Sequence, residues 1–189
     1  MYIEYYGLTQ DPFKLTPDPQ FFFLGEHQNK ALAHLIYGIN NRKGFIALTG
    51  EVGAGKTTLC RLRLKQLDEN VSVAIILNSL VDGLTLMKQI NRDFAIPYDT
   101  DSLDNLVGYL YDFLIEEKKK GRNVVVIVDE CQNLKFDVLE QLRMLSNLET
   151  EKDKLLQILL IGQPEFIDML NSYELRQLNQ RITVKAHIS

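Results

Sequence analysis

The sequence predicts an α/β fold in which a parallel sheet of five strands is flanked by helices on both faces, a three-layer sandwich. Three observations carry this expectation. Five strand-like runs recur, at Phe45–Thr49, Val71–Leu77, Val124–Val128, Leu155–Ile161 and Ile182–Ile188. Helix-patterned stretches separate them, the mark of parallel strands joined by crossovers. The strands read as fully apolar, as expected where both sheet faces are covered.

Residues 1–25 carry turn and aromatic signals without a period: Gly7, Pro12, Pro17, Pro19 and Phe21-Phe22-Phe23. Two prolines bracketing Asp18 prevent a helix there. The segment is expected to be extended and to pack on a core domain spanning 26–189. From Glu26 to about Asn41 an apolar stripe of Ala31, Leu32, Leu35, Ile36 and Ile39 indicates a helix. After the first strand come a glycine-rich turn and a helix over Lys56–Leu67. Further helices are expected at Leu84–Phe94, Ser102–Lys120 and Asp137–Leu148, and a polar helical segment precedes the last strand. The run Glu116-Glu117-Lys118-Lys119-Lys120 is expected to be a solvated helix end, its lysines favourably placed against the C-terminal dipole.

Composition bounds the function. The chain of 189 residues suits one domain, and 46% hydrophobic with 24% charged residues is an ordinary globular balance. A net charge of −4 argues mildly against a surface devoted to nucleic acid. Cys60 and Cys131 follow no metal spacing and read as reduced thiols of a cytosolic domain. His27, His34 and His187 share no ligand spacing either. No apolar run is long enough to span a bilayer, and the N-terminus lacks a secretory pattern.

The turn after the first strand reads Gly50-Glu51-Val52-Gly53-Ala54-Gly55-Lys56-Thr57, a complete Walker A pattern between a strand and a helix. Gly50, Gly53 and Gly55 permit positive φ and close approach, so that successive backbone N–H groups line an anion site. The following helix aims its unpaired N–H groups at the phosphates. Lys56 is expected to reach the β- and γ-phosphates, Thr57 to ligate Mg²⁺, and Thr58 to lie beside the α- or β-phosphate.

The strand Val124–Val128 ends in Asp129-Glu130, a Walker B element. Its carboxylates emerge where open α/β sheets place ligands. Asp129 is expected to hold the Mg²⁺ shell and Glu130 to polarise the attacking water. Between the two motifs there is room for the extra strand Val71–Leu77, the arrangement of AAA+ and RecA-like P-loop NTPases. The Asn-Lys-x-Asp guanine reader is absent, so adenine is the expected base and ATP the ligand. Gln163, in Gly162-Gln163-Pro164-Glu165 at the tip of the fourth strand, is the candidate sensor of the γ-phosphate. A turn residue beside a helix-starting proline is the rival reading. Arg176 and Arg181 precede the last strand, where AAA+ proteins place an arginine that completes a neighbour's site. Such a finger is worth roughly 10³–10⁵ in rate, and either arginine could serve. Cys131 suits packing better than nucleophilic chemistry. Phe13 and Phe21–Phe23 could pack near adenine or in the core.

Beyond these motifs, several strings occur in a specific order. Tyr6-Gly7-Leu8, Asp11-Pro12-Phe13, Thr16-Pro17-Asp18-Pro19, Phe22-Phe23-Leu24, His27-Gln28, Ala31-Leu32-Ala33, Tyr37-Gly38-Ile39 and Gly44-Phe45 precede the phosphate loop. Asp129-Glu130-Cys131-Gln132-Asn133-Leu134, Gly162-Gln163-Pro164-Glu165 and Leu175-Arg176-Gln177-Leu178-Asn179-Gln180-Arg181-Ile182 follow it. From residue 2 to about 185 the chain resembles the ExeA/GspA-type AAA+ ATPases of the bacterial general secretion pathway, with Cys131 where that family has alanine. The resemblance implies an oligomeric, ring-like ATPase that acts with a secretion-system or envelope partner to assemble the outer-membrane secretin. It implies a cytoplasmic domain of an inner-membrane-anchored protein, and a helical lid with a sensor 2 arginine that these 189 residues do not include. Full activity and ring assembly are expected to depend on that lid. Related sequences serve pilus biogenesis or, as DNA-associated ATPases, transposition. A nucleotide-gated interaction module with little turnover is the alternative outside enzymes.

Overall fold

The computed structural model describes residues 2–9, 25–64, 70–77, 79–150 and 153–188. Of the N-terminal segment, Tyr2–Tyr5 forms a single helical turn, α1, that buries no residue. Phe13, Phe21–Phe23, the prolines of that segment and the expected end of the helix at 65–67 lie outside the described residues.

The remaining elements follow the expected alternation. Helix α2 (Glu26–Asn40) leads to β1 (Phe45–Gly50), α3 (Lys56–Leu64), β2 (Val71–Ile76), α4 (Gly83–Asp93), α5 (Leu103–Lys119) and β3 (Asn123–Val128). After a 3₁₀ turn at Cys131–Asn133 come α6 (Phe136–Leu145), β4 (Leu156–Gly162), α7 (Pro164–Leu170), α8 (Arg176–Arg181) and β5 (Ile182–Ile188). The strands lie in the order β2-β3-β4-β1-β5, and every pairing is parallel.

Period-two geometry explains why the central runs are apolar on both faces, whereas the edge strand β5, expected to be fully apolar, alternates and leaves Thr183, Lys185 and His187 exposed. In β3, Val124, Val126 and Val128 enter one core together with residues of α4, α5, α6, α7 and α8. Val125 and Ile127 enter the other, with residues of α2 and α3. In β4 the partition repeats, Leu156, Ile158 and Leu160 facing the first core and Leu159 and Ile161 the second. The chain thus builds two cores on one sheet.

Local signals fix several helix ends. Asp82 caps α4 by accepting from the Thr85 N–H, and Ser102 caps α5 by accepting from the Asn105 N–H. Helix α6 stops at Leu145, short of the expected Leu148. There the Arg181 guanidinium donates to the Arg143 carbonyl, to Ser146 Oγ and to Asn147 Oδ1, giving the last turn partners that end it. The seven-residue α7, which the sequence reading marked only by its starting proline, carries Pro164 in its first turn.

Strand order positions the site. With β4 between β1 and β3, the C-terminal ends of these three neighbours bring together the loop after Gly50, the carboxylates after Val128 and Gln163 after Gly162.

Candidate functional site

The phosphate loop runs from the end of β1 into α3. Gly53 and Gly55 adopt φ of 80° and 81°, a region that costs side-chain-bearing residues energy. Gly50 does not share that requirement, contrary to the sequence expectation for its φ. Its constraint is space, because a Cβ there would stand against the Ile188 carbonyl oxygen of β5. Glu51, Val52 and Gly53 face solvent at the loop tip, and Ala54 and Gly55 are half-buried. The Ala54 N–H closes a turn on the Glu51 carbonyl, and the Leu59 N–H bonds the Gly55 carbonyl as α3 begins.

Lys56, 6% exposed, folds back on the loop, and its Nζ donates to the Gly50 carbonyl at 2.8 Å and the Glu51 carbonyl at 2.9 Å. Thr57 and Thr58 lie in the same first turn of α3. The Thr57 hydroxyl donates to Asp129 Oδ2 at 2.5 Å, so the two expected metal ligands already meet. Asp129 is buried, and its Oδ1 accepts from the Glu130 N–H at 2.9 Å. A hydroxyl and a carboxylate side by side, next to a phosphate cradle, are the hard oxygen donors that suit Mg²⁺.

Glu130 sits in the left-handed region at φ 53° and ψ 44°, a conformation that costs a non-glycine residue of order 1–3 kcal/mol. Its surroundings hold it there. Ser79, buried near the end of β2, donates its hydroxyl to the Glu130 carbonyl at 2.9 Å. The Glu130 carboxylate accepts from Gln132 Nε2 at 2.5 Å and from Gln163 Nε2 at 3.0 Å, both on Oε2. These two amides, Gln132 first, with the more distant Lys56 charge, hold the Glu130 carboxyl below its usual range, against the opposing effect of burial. A carboxylate so held is ionised at neutral pH and able to orient a proton-bearing partner.

Gln163 is the residue that precedes α7, and Pro164 follows it as that helix begins. The rival reading, a turn residue beside a helix-starting proline, matches this position. Its side chain makes no capping bond to α7 and turns instead to Glu130. Its backbone N–H donates to Gln132 Oε1 at 3.1 Å. Gln132 was assigned no role from the sequence. Its only trace there is its place in Asp129-Glu130-Cys131-Gln132-Asn133-Leu134. Ser79 had no signal at all.

The two arginines differ. Arg176 is exposed, and its guanidinium lies 5.2 Å from the centroid of the exposed Tyr173 ring. Arg181 is half-buried and spends one nitrogen on three acceptors at the end of α6. Cys131 is fully buried, its Sγ donating to the Val128 carbonyl, and burial pushes its thiol far up, as it does that of Cys60. Neither is poised as a nucleophile.

Comparison with known proteins gives a consistent picture. The AAA domain family matches residues 39–170. Over all 189 residues the chain is 46% identical to general secretion pathway protein A of Aeromonas hydrophila, and it spans 35% of that relative's length. Among solved structures, the ORC2 protein of Aeropyrum pernix in its ADP form aligns with a TM-score of 0.68 at 19% identity, over 94% of this chain and 50% of that one. CDC6P from Pyrobaculum aerophilum aligns with a TM-score of 0.67 at 20% identity, over 88% and 47%. At these identities the structural likenesses establish the fold alone: the five-stranded P-loop sheet.

Proposed function

This chain belongs to the AAA-domain family, and from that premise we propose that it binds ATP with Mg²⁺ and hydrolyses it as part of an oligomeric machine of the general secretion pathway. The observation that carries the hydrolytic reading is one arrangement. Glu130, its carboxylate fixed by two amides, directly follows an Asp129 already bonded to Thr57 of the phosphate loop. Residues 26–189 form the nucleotide-binding domain in this reading.

Each residue has a task. The loop of Gly50, Glu51, Val52, Gly53, Ala54 and Gly55 offers backbone N–H groups to the phosphates, with Thr58 beside them. Lys56 exchanges its two loop carbonyls for β- and γ-phosphate oxygens. Thr57 and Asp129 would hold Mg²⁺, which when bound neutralises charge developing on the phosphates. Glu130 orients and polarises the attacking water. Gln163 reports the γ-phosphate. Arg176, exposed and without a carboxylate partner among the described residues, is the better candidate for an arginine reaching a neighbouring subunit, because Arg181 is committed within its own chain.

The secretion role rests on the similarity to general secretion pathway protein A. Since the chain spans about a third of that relative, secretin assembly, a ring, an envelope partner and attachment at the cytoplasmic side of the inner membrane are part of the proposal. No helix among the described residues is long and apolar enough to cross a membrane.

The test is ATP turnover per subunit across a wide range of protein concentration. A steep rise supports sites completed between subunits. Tight ATP binding with flat, near-zero turnover would favour a nucleotide-gated interaction module. ATP-dependent DNA retention that falls steeply with salt would favour the transposition-type reading.

A further inference from the structure

We propose that Gln132 is a positioning residue that yokes the hydrolytic carboxylate to the γ-phosphate sensor. The proposal rests on the ATPase reading of this site. One primary amide makes both connections: Gln132 Nε2 donates to Glu130 Oε2 at 2.5 Å, and Gln132 Oε1 accepts from the Gln163 backbone N–H at 3.1 Å. The triangle is closed by Gln163 Nε2 on the same Glu130 oxygen at 3.0 Å. Only a side chain carrying both a donor and an acceptor can serve both neighbours.

The backbone makes the arrangement local and stiff. Gln132 lies in the 3₁₀ turn immediately after Glu130, whose left-handed conformation swings the chain back toward the end of β4. Ser79 pins the Glu130 carbonyl, and buried Cys131 bonds the Val128 carbonyl, so the turn is held on both sides of the carboxylate. Gln132 is half-buried, which strengthens a charge-assisted bond relative to one in water.

The consequence is a coupling. A γ-phosphate oxygen is a competing acceptor for Gln163 Nε2, the amide that also holds Glu130. When that amide turns to the phosphate, Glu130 keeps the Gln132 bond as its remaining tether, while Gln132 Oε1 still fixes the Gln163 backbone. Glu130 is then released on one side only and stays oriented for water. Removing Gln132 leaves the carboxylate untethered at the moment the nucleotide is sensed.

The experiment compares the parent protein with Gln132→Leu and the near-isosteric Gln132→Glu, reading ATP affinity and kcat in each, and repeats both substitutions in a Glu130→Gln background. The expected result is unchanged ATP affinity and a kcat about tenfold or more lower, as for loss of one hydrogen bond to a charged group. In the Glu130→Gln background neither variant should lower kcat further, because Gln132 acts through that carboxylate. A kcat equal to the parent's, or the same further loss in the Glu130→Gln background, would make Gln132 structural and overturn the proposal. Loss of ATP affinity in both variants would overturn it equally. A parent that binds ATP without hydrolysing it would defeat the ATPase reading first, an outcome distinct from either.

Discussion

The hydroxyl of Thr57 and Oδ2 of Asp129 meet at 2.5 Å although 72 positions separate them in sequence. One belongs to the first turn of α3 and the other follows β3, and the strand between, β4, sets the span that the contact bridges. Two hard oxygen donors brought together this way predict a nucleotide affinity that depends on magnesium. Chelating Mg²⁺ should weaken ATP binding to the parent. Thr57→Ala should show weaker Mg²⁺-dependent binding by at least the roughly 10–100-fold that even outer partners of a metal cost. Equal Mg²⁺ dependence in parent and variant, read by titration calorimetry, would remove Thr57 from the metal site.

Lys56 is buried, and among the described residues its Nζ donates to two carbonyls of its own loop. In the proposed role the ammonium exchanges these carbonyls for phosphate oxygens. Saturating ATP, at a hundredfold over its dissociation constant, should stabilise the parent by about 2.7 kcal/mol. Lys56→Ala should lose most of that gain in thermal unfolding. A variant stabilised as much as the parent would mean the phosphates bind elsewhere.

The arginines should separate in two assays. Arg181 ties α8 to the end of α6 through three acceptors, so Arg181→Ala should destabilise the fold by about 1–2 kcal/mol. Arg176→Ala should leave stability and ATP binding unchanged while lowering turnover at protein concentrations where subunits meet. The opposite pattern, with turnover lost in Arg181→Ala at unaltered stability, would move the finger to Arg181.

Gly50 is the residue of the loop held by packing. Gly50→Ala would push its methyl group into the Ile188 carbonyl and displace β5 from β1. Overpacking of this kind costs about 1–3 kcal/mol, so chemical denaturation should show a lowered midpoint even without nucleotide. An unchanged midpoint would mean that β5 yields freely.

Much of this was legible in the sequence because the signals are local. Strands buried on both faces show as unbroken apolar runs, and the phosphate loop needs its glycines, lysine and threonine in fixed succession. The unread parts depend on tertiary placement. Gln132 acquires meaning only because Glu130 is left-handed and β4 ends beside it. The spacing of Arg176 and Arg181 could not say which finds acceptors on α6. The space required at Gly50 follows from β5 pairing with β1, which sets Gly50 beside Ile188, 138 positions downstream. Helix α7, with seven residues, is too short to display a period.

The most direct measurement of the central claim compares phosphate release and ATP binding in the same preparations of the parent and Glu130→Gln. The substitution keeps the shape of the side chain and removes the charge that orients water. Glu130→Gln should retain ATP affinity and lose turnover roughly 10²–10⁴-fold, the range of a general-base contribution. Equal turnover in parent and variant would contradict the claim, and would place the hydrolytic carboxylate somewhere other than the end of β3.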